Sequence, residues 1–456
     1  MSYQTINPFT NQLIKEYPSH TVEDIESAIT KANDLYHSHW SRGDITQRLP
    51  ALNNFADLLE QRADSLARLI SEEMGKLIEQ SRGEILLCAK IARYYAENAQ
   101  RLLAPQAYDS ELGEAWVEHH PIGILMAVEP WNFPFYQLMR VFAPALAVGN
   151  PVIVKHAGIV PRCAETFEKL ALEAGAPQGA YTNLFISTEQ VANIIADPRI
   201  QGVALTGSEN AGSAVAAQAG KMLKKSTLEL GGNDVFIVLD DCDLEDAVKV
   251  GAQARLNNAG QVCTAAKRFI VQKSIADSFI KKLTQRFSEV KIGDPLDEST
   301  TLGPLSSRGA VQKLQKQVDA AIQHGARVLY GGKAIQHEGN FFEATILTEI
   351  TRDNPAWFEE FFGPVAQIYI VENDDQAIAL ANDSHYGLGG AIFSQNIDRA
   401  KRLASSIETG MVYINSLTDT TPELPFGGVK RSGYGRELAD IGIKEFTNHK
   451  LIVVSK

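Results

Sequence analysis

Short apolar runs that alternate with helical stretches across most of the chain constrain its fold more than any other feature. The runs Pro151-Val152-Ile153-Val154, Tyr181-Thr182-Asn183-Leu184-Phe185 and Gly202-Val203-Ala204-Leu205 are each followed by a helical pattern, beginning near Pro161, Glu189 and Ser208. Apolar strands joined by crossover helices build a parallel sheet covered on both faces. A second block, from about 235 to 415, does the same with Val235-Phe236-Ile237-Val238, Phe269-Ile270-Val271 and Val365-Ala366-Gln367-Ile368-Tyr369-Ile370. Helices over 275–289, 307–324 and 398–407 separate those strands. The pattern predicts doubly wound α/β architecture, in which ligands gather at the C-terminal edge of the strands.

Flanking segments read differently. Residues 22–36, 45–71 and 78–103 carry apolar side chains at i, i+3 and i+4, which predicts three helices. Residues 114–128 look extended. The tail Leu451-Ile452-Val453-Val454 is a short β-prone strand whose edge must pair with something, and pairing across a subunit boundary is expected. A chain of 456 residues exceeds one ordinary core, so two or three domains are expected.

Composition excludes several classes of function. Hydrophobic residues at 45% and charged residues at 21% are ordinary for a soluble globular protein. A formal charge of −12 argues against nucleic-acid or anionic-membrane partners, which attract basic patches. No apolar run approaches the roughly 20 residues of a membrane helix, and Met1-Ser2-Tyr3-Gln4-Thr5-Ile6-Asn7-Pro8 resembles no export signal. A cytoplasmic protein is expected. The four cysteines make neither a disulfide framework nor a CxxC pair, and the histidines at 37, 39, 119 and 120 lack a further ligand nearby, so no metal site is expected. Cys88, Cys163 and Cys242 read as structural.

Two segments stand out chemically. In Gly260-Gln261-Val262-Cys263-Thr264-Ala265 the cysteine follows an uncharged run and precedes Lys267 and Arg268. A partly exposed thiol near positive charge is expected there, which favours the nucleophilic thiolate. In Thr227-Leu228-Glu229-Leu230-Gly231-Gly232 the carboxyl of Glu229 lies among apolar neighbours. Such walls raise its pKa and suit it to accept a proton from water. Asn132, in Pro130-Trp131-Asn132-Phe133-Pro134, offers a neutral amide donor suited to an oxyanion, or simply caps a turn. Leu205-Thr206-Gly207-Ser208 ends a strand and opens a helix, as a pyrophosphate site or an ordinary strand–helix turn. Lys155 ends another strand, either as a ligand group or as a surface lysine. Glu359-Glu360-Phe361-Phe362-Gly363-Pro364 sets carboxylates and aromatics before a strand, where they can hold a ribose and pack a flat ring.

Together these motifs resemble the aldehyde dehydrogenase superfamily. The likeness runs from Ile6-Asn7-Pro8 to Pro425-Phe426-Gly427-Gly428 and Ser432-Gly433-Tyr434-Gly435-Arg436-Glu437, in family order and spacing. It implies that Cys263 is the nucleophile, Glu229 the general base, and Asn132 the oxyanion donor beside the cysteine's own N–H. It further implies a nicotinamide cofactor held by Lys155 and Glu360 at ribose hydroxyls and by Ser208 at the pyrophosphate. Gly207 and Phe362 would border the nicotinamide, with Trp131, Thr206 and Leu230 completing that wall. The implied domains are a cofactor domain (1–103 and 122–230), a catalytic domain (231–439) and a small β oligomerisation unit (104–121 and 440–456). A homodimer or homotetramer is expected.

Departures from the family pattern sharpen the expectation. Many NAD-preferring relatives carry Glu three residues after the motif lysine; here Gly158 stands there, so NADP should be accepted alongside NAD and is a candidate for the preferred cofactor. Arg140, two helical turns beyond Asn132, suits bidentate capture of a distal carboxylate, or makes a structural ion pair. Relatives that oxidise succinate semialdehyde have an Arg there, and some have a second Arg where this chain has Asn257. Arg255 or Thr420 would have to compensate. Ala265 stands where some relatives carry a second cysteine, so a redox disulfide is not expected. The expected activity is NAD(P)-dependent oxidation of an aldehyde, foremost succinate semialdehyde. The alternatives are another semialdehyde, a neutral aldehyde, or a non-catalytic dinucleotide-binding protein.

Overall fold

The computed structural model describes residues 3–456. Its first large sheet runs, in spatial order, Gly433–Tyr434, Lys225–Glu229, Ile200–Thr206, Ile124–Glu129, Val152–His156 and Tyr181–Asn183. All pairs are parallel except the short antiparallel edge at Gly433–Tyr434. The chain lays down Ile124–Glu129 first, winds to one side through Val152–His156, then returns to add Ile200–Thr206 on the other side. That reversal leaves a crevice beyond Glu129 and Thr206, where crossover connections diverge.

The second sheet runs Arg327–Tyr330, Thr345–Thr348, Val365–Val371, Arg268–Gln272, Val235–Val238, Gly390–Phe393 and Tyr413–Ile414. It is parallel except at its first pair. Its central strands are buried on both faces, which explains their uninterrupted apolar sequence. The segment after Glu229 passes from the C-terminal edge of the first sheet to the N-terminal edge of the second. The doubly wound architecture expected from the alternation is therefore present twice.

Helices cover the first sheet. Phe55, Phe142, Phe167 and Tyr181 interlock at centroid distances of 5.0–5.5 Å beneath it, each pair adding about 0.5–1.5 kcal/mol beyond area burial. The single helix expected over 45–71 is three elements: Ile45–Gln47, Leu49–Gln61 and Ala63–Met74. Pro50 can only sit in a first helical turn, and Arg62 breaks the second helix from the third. The extended stretch over 114–128 divides into Gly113–Pro121 and Ile124–Glu129 at Gly123, whose φ of +131° suits glycine alone.

A third sheet orders Thr447–Ser455, Gly113–Pro121 and Gln106–Tyr108, all antiparallel. The tail strand thus pairs inside its own chain, nine residues in register against Gly113–Pro121. Its outer edge stays free, with Leu451, Val453 and Val454 exposed. No helix among the described residues is long and apolar enough to cross a membrane, and no cluster of metal-ligating side chains occurs among them.

Candidate active site

The candidate reactive residues enter from two sheet edges that face each other. Asn132 and Glu229 lie just beyond and at the C-terminal ends of first-sheet strands; Cys263 and Glu360 lie in turns that precede second-sheet strands. All four line one cavity of about 650 Å³. Trp131, Thr206, Gly207, Ser208, Leu230 and Phe362 share its wall.

Main-chain contacts cross-tie the loops of Asn132 and Cys263. Asn132 Nδ2 donates to the Gln261 carbonyl at 3.1 Å, which leaves its second amide hydrogen for an oxyanion. Asn258 Nδ2 donates back to the Asn132 carbonyl at 3.0 Å. Asn258 and Ala259 adopt φ of +50° and +51°, a strained left-handed pair that turns the chain into the nucleophile loop. Arg255 bridges the ends of that loop, donating from Nη2 to Gly260 O at 2.6 Å and from Nη1 to Ala266 O at 3.1 Å. Fully buried on these carbonyls, Arg255 does not stand in for the absent Arg at Asn257. Burial pulls its pKa down to about 9, opposed by Glu360 and Asp234. His156 spans the other loop, its ring nitrogens 3.1 and 3.0 Å from the carbonyls of Glu129 and Pro134.

The thiol of Cys263 is half-buried, as expected, but the expected thiolate is not its resting state. Burial pushes its pKa up to about 12, and the charges of Lys267 and Arg140 lower it only in part. Desolvation of a small anion outweighs two cations at this site. Glu229 behaves as its apolar neighbours suggest: burial, then the Glu437 carboxylate, raise its pKa well above the usual carboxylate range against the pull of Arg140. Neither of its carboxyl oxygens has a hydrogen-bond partner. Gly427 keeps that pocket open, since a Cβ there would stand 2.5 Å from Glu229 Oε1.

Arg140 is buried and committed. Its Nε lies 2.7 Å from Glu437 Oε2, Nη2 donates to Thr206 Oγ1 at 3.1 Å and to Gln137, and Tyr136 and Phe426 sandwich the guanidinium at 4.7 Å each. Burial lowers its pKa, but Glu437, Tyr136, Glu229 and Glu129 more than reverse this and leave it raised. Glu437 thus holds the guanidinium in an ion pair inside the protein. The carboxylate-anchor expectation for Arg140 is replaced by the ion pair. Thr420 lines a second cavity, of about 790 Å³, with Phe133, Lys90 and Arg286 on its wall, and its hydroxyl meets Tyr136 Oη at 3.5 Å.

The cofactor residues fit a dinucleotide unevenly. Gly207 presents open backbone, with nothing nearer than 3.7 Å to an added Cβ. Ser208 caps the helix Glu209–Lys221, whose N-terminus suits a pyrophosphate. Trp131 and Phe362 meet edge-on at 5.8 Å and wall a slot for a flat ring. Glu360 accepts from the Gly232 N–H at 3.1 Å and pairs with Lys267 at 3.2 Å. Lys155 and Gly158 do not line this cavity; they sit at the end of Val152–His156, on the same sheet edge. Burial lowers the Lys155 pKa. Lys313, Gln317 and Tyr386 also line the cleft without having drawn notice in the sequence, because isolated polar residues, two on the helix Arg308–Gln323 and one in the short strand Tyr386–Gly387, look like solvated surface.

The family model described as the aldehyde dehydrogenase family matches residues 1–452. The chain belongs to the aldehyde dehydrogenase family. Its chemistry is therefore NAD(P)-dependent aldehyde oxidation through a catalytic cysteine. A relative from Deinococcus radiodurans, a succinate-semialdehyde dehydrogenase [NADP(+)], is 49% identical over 450 residues, covering 99% of this chain and 94% of that one. A probable succinate-semialdehyde dehydrogenase [NADP(+)] from Synechocystis sp. is 42% identical, each chain covered in full. The crystal structure of succinic semialdehyde dehydrogenase from Streptococcus pyogenes in complex with NADP+ superposes with a TM-score of 0.98 at 48% identity, again with both chains covered in full.

Proposed function

We propose that this aldehyde dehydrogenase oxidises succinate semialdehyde to succinate with NADP, using Cys263 as nucleophile, Glu229 as base and Asn132 as oxyanion donor. The observation that carries the substrate is full-length similarity, at 49% and 42% identity, to relatives of that name. Cys263 Sγ attacks the aldehyde carbon, and the oxygen takes up negative charge beside the free Asn132 amide hydrogen and the Cys263 N–H. A nicotinamide held by Trp131, Gly207 and Phe362 would supply the hydride acceptor, and Cys263 Sγ would then carry the acyl group as a thioester. Glu229 then takes a proton from water, and the resulting hydroxide releases the acid. Before attack the thiol proton passes to solvent in the cavity, leaving the thiolate that forms the S–C bond.

The aldehyde enters in this reading through the second cavity, on whose wall Phe133 and Thr420 lie. Lys90 and Arg286 lie on the same wall, beside Glu84, Glu289 and Asp419. The deciding experiment compares NADP reduction with succinate semialdehyde and with butanal, a neutral aldehyde of similar length. A large kcat/KM preference for the acid is expected; equal use of both would leave the dehydrogenase chemistry and remove the substrate assignment.

Arg140→Leu is expected to weaken turnover of both aldehydes alike and to lower Tm, because it strands the buried Glu437 carboxylate. Breaking such a pair costs about 3–5 kcal/mol. Loss confined to the acidic aldehyde, with Tm unchanged, would restore Arg140 as the carboxylate anchor.

NADP preference rests on Gly158, in the turn after Val152–His156. Gly158→Glu puts an anion where a 2′-phosphate would lie, and a carboxylate there repels phosphate. It is expected to raise KM for NADP at least about tenfold, or about 1.4 kcal/mol, with NAD used as well or better. An unaltered NADP/NAD ratio would place the 2′-phosphate elsewhere.

A further inference from the structure

Lys267 has no counterpart in the mechanism above, yet its side chain is fully buried and stands between the nucleophile and the cofactor wall. Its Nζ donates to the Val262 carbonyl at 2.9 Å and to the Cys263 carbonyl, and lies 3.2 Å from Glu360 Oε1. One ammonium thus has three oxygen partners: two belong to the nucleophile loop, the third to the carboxylate proposed to receive the ribose. We propose that Lys267 is a positioning residue that supplies charge to Cys263, and that Glu360 withdraws part of that charge until a ribose engages it.

Three physical points support this. A buried ammonium interacts with a nearby thiolate through low-dielectric surroundings, where each charge acts more strongly than in water. The other charged groups bearing on the thiol are Arg140, which favours the thiolate, and Glu360 and Asp234, which oppose it, with Lys267 the strongest of the four. Arg140 is paired with Glu437, so Lys267 is the cation whose balance can change on ligand binding. Glu360 is the more exposed member of its pair, at 17% against 0%, and lines the cavity, where ribose hydroxyls can donate to its carboxylate. Each hydroxyl bonded there draws negative charge away from the ammonium. Cofactor arrival would then favour the thiolate, which fits a resting thiol held in its protonated form.

The inference rests on Cys263 as nucleophile, and a test separates the two. Alkylation of the cofactor-free enzyme by iodoacetamide, followed against pH with the modified cysteine located by peptide mass spectrometry, reads the thiolate directly. Lys267→Met is expected to slow Cys263 alkylation about tenfold or more at pH 8, a shift of one pKa unit upward, while Lys267→Arg retains most of the rate. Glu360→Gln is expected to do the reverse, speeding alkylation without cofactor, and this gain should vanish in the Lys267→Met background. NADP added to the wild type should speed alkylation, and should fail to do so in Lys267→Met. Should Lys267→Met not fold, Glu360→Gln with and without NADP carries the test alone, since Glu360 lines the open cavity. A Glu360→Gln profile identical to wild type, or one shifted to slower alkylation, overturns the coupling. Label appearing on Cys242 with none on Cys263 at any pH would instead overturn the nucleophile assignment.

Discussion

Replacing Cys263 by alanine is expected to leave a folded protein that binds cofactor and turns over no aldehyde. The thiol makes none of the contacts that shape its loop. Those come from Arg255 at the carbonyls of Gly260 and Ala266, Lys267 at Val262 and Cys263, and Asn132 at Gln261. Removing sulfur therefore subtracts the nucleophile and little else. Where catalytic groups act as a unit, losing the nucleophile costs on the order of 10⁶ in kcat. Steady-state NADP reduction measures it, with Tm and cofactor affinity as controls. Turnover within tenfold of wild type would mean that another group attacks the aldehyde.

The second large effect is expected from Glu229→Gln, and it should appear in a different step. The amide is close in size and fits the same pocket but accepts no proton. Acylation can then proceed, so stopped-flow should show one reduced cofactor per site followed by a stall, with steady-state kcat lower by roughly 10²–10⁴, the usual share of a general base. The pH dependence has a definite sign. Burial and Glu437 hold the Glu229 pKa above its ordinary value, so the carboxyl is protonated, and useless as a base, below that raised pKa. Wild-type deacylation should rise as pH climbs through it, and the Gln variant should lack that rise. Loss of the burst along with turnover would assign Glu229 to acylation, as acceptor of the thiol proton.

Much of this was legible in the chain because local patterns carry it. Uninterrupted apolar strands such as Phe236-Ile237-Val238 signal burial on both faces, and the helical periods between them force parallel connections. The strand Lys225–Glu229 escaped notice because its first residues are polar and exposed, so only its inner half carries an apolar signal. The helix over 45–71 was overextended because amphipathic periodicity runs on across a break that Arg62 imposes. Motif identity singled out Cys263, Glu229 and Asn132 and ordered them. It left open whether the thiol is charged at rest, and the local view, two cations nearby in sequence, pointed the wrong way.

Arg140 shows the boundary best. Its sequence position, two turns past Asn132, is compatible with either substrate capture or an ion pair. Glu437 lies almost 300 residues away and reads as an ordinary motif residue. Only packing sets its carboxylate 2.7 Å from the guanidinium and buries both. The same holds for Lys267 and Glu360, and for Arg255 with its two carbonyls. Sequence alone determined the sheet architecture and the family and nominated the candidate reactive atoms, because hydrophobic period and motif chemistry are local. The tertiary structure decided which charges neutralise one another and which remain for catalysis. Electrostatic energy depends on distance and desolvation, and neither exists until distant segments are brought together in a dry interior.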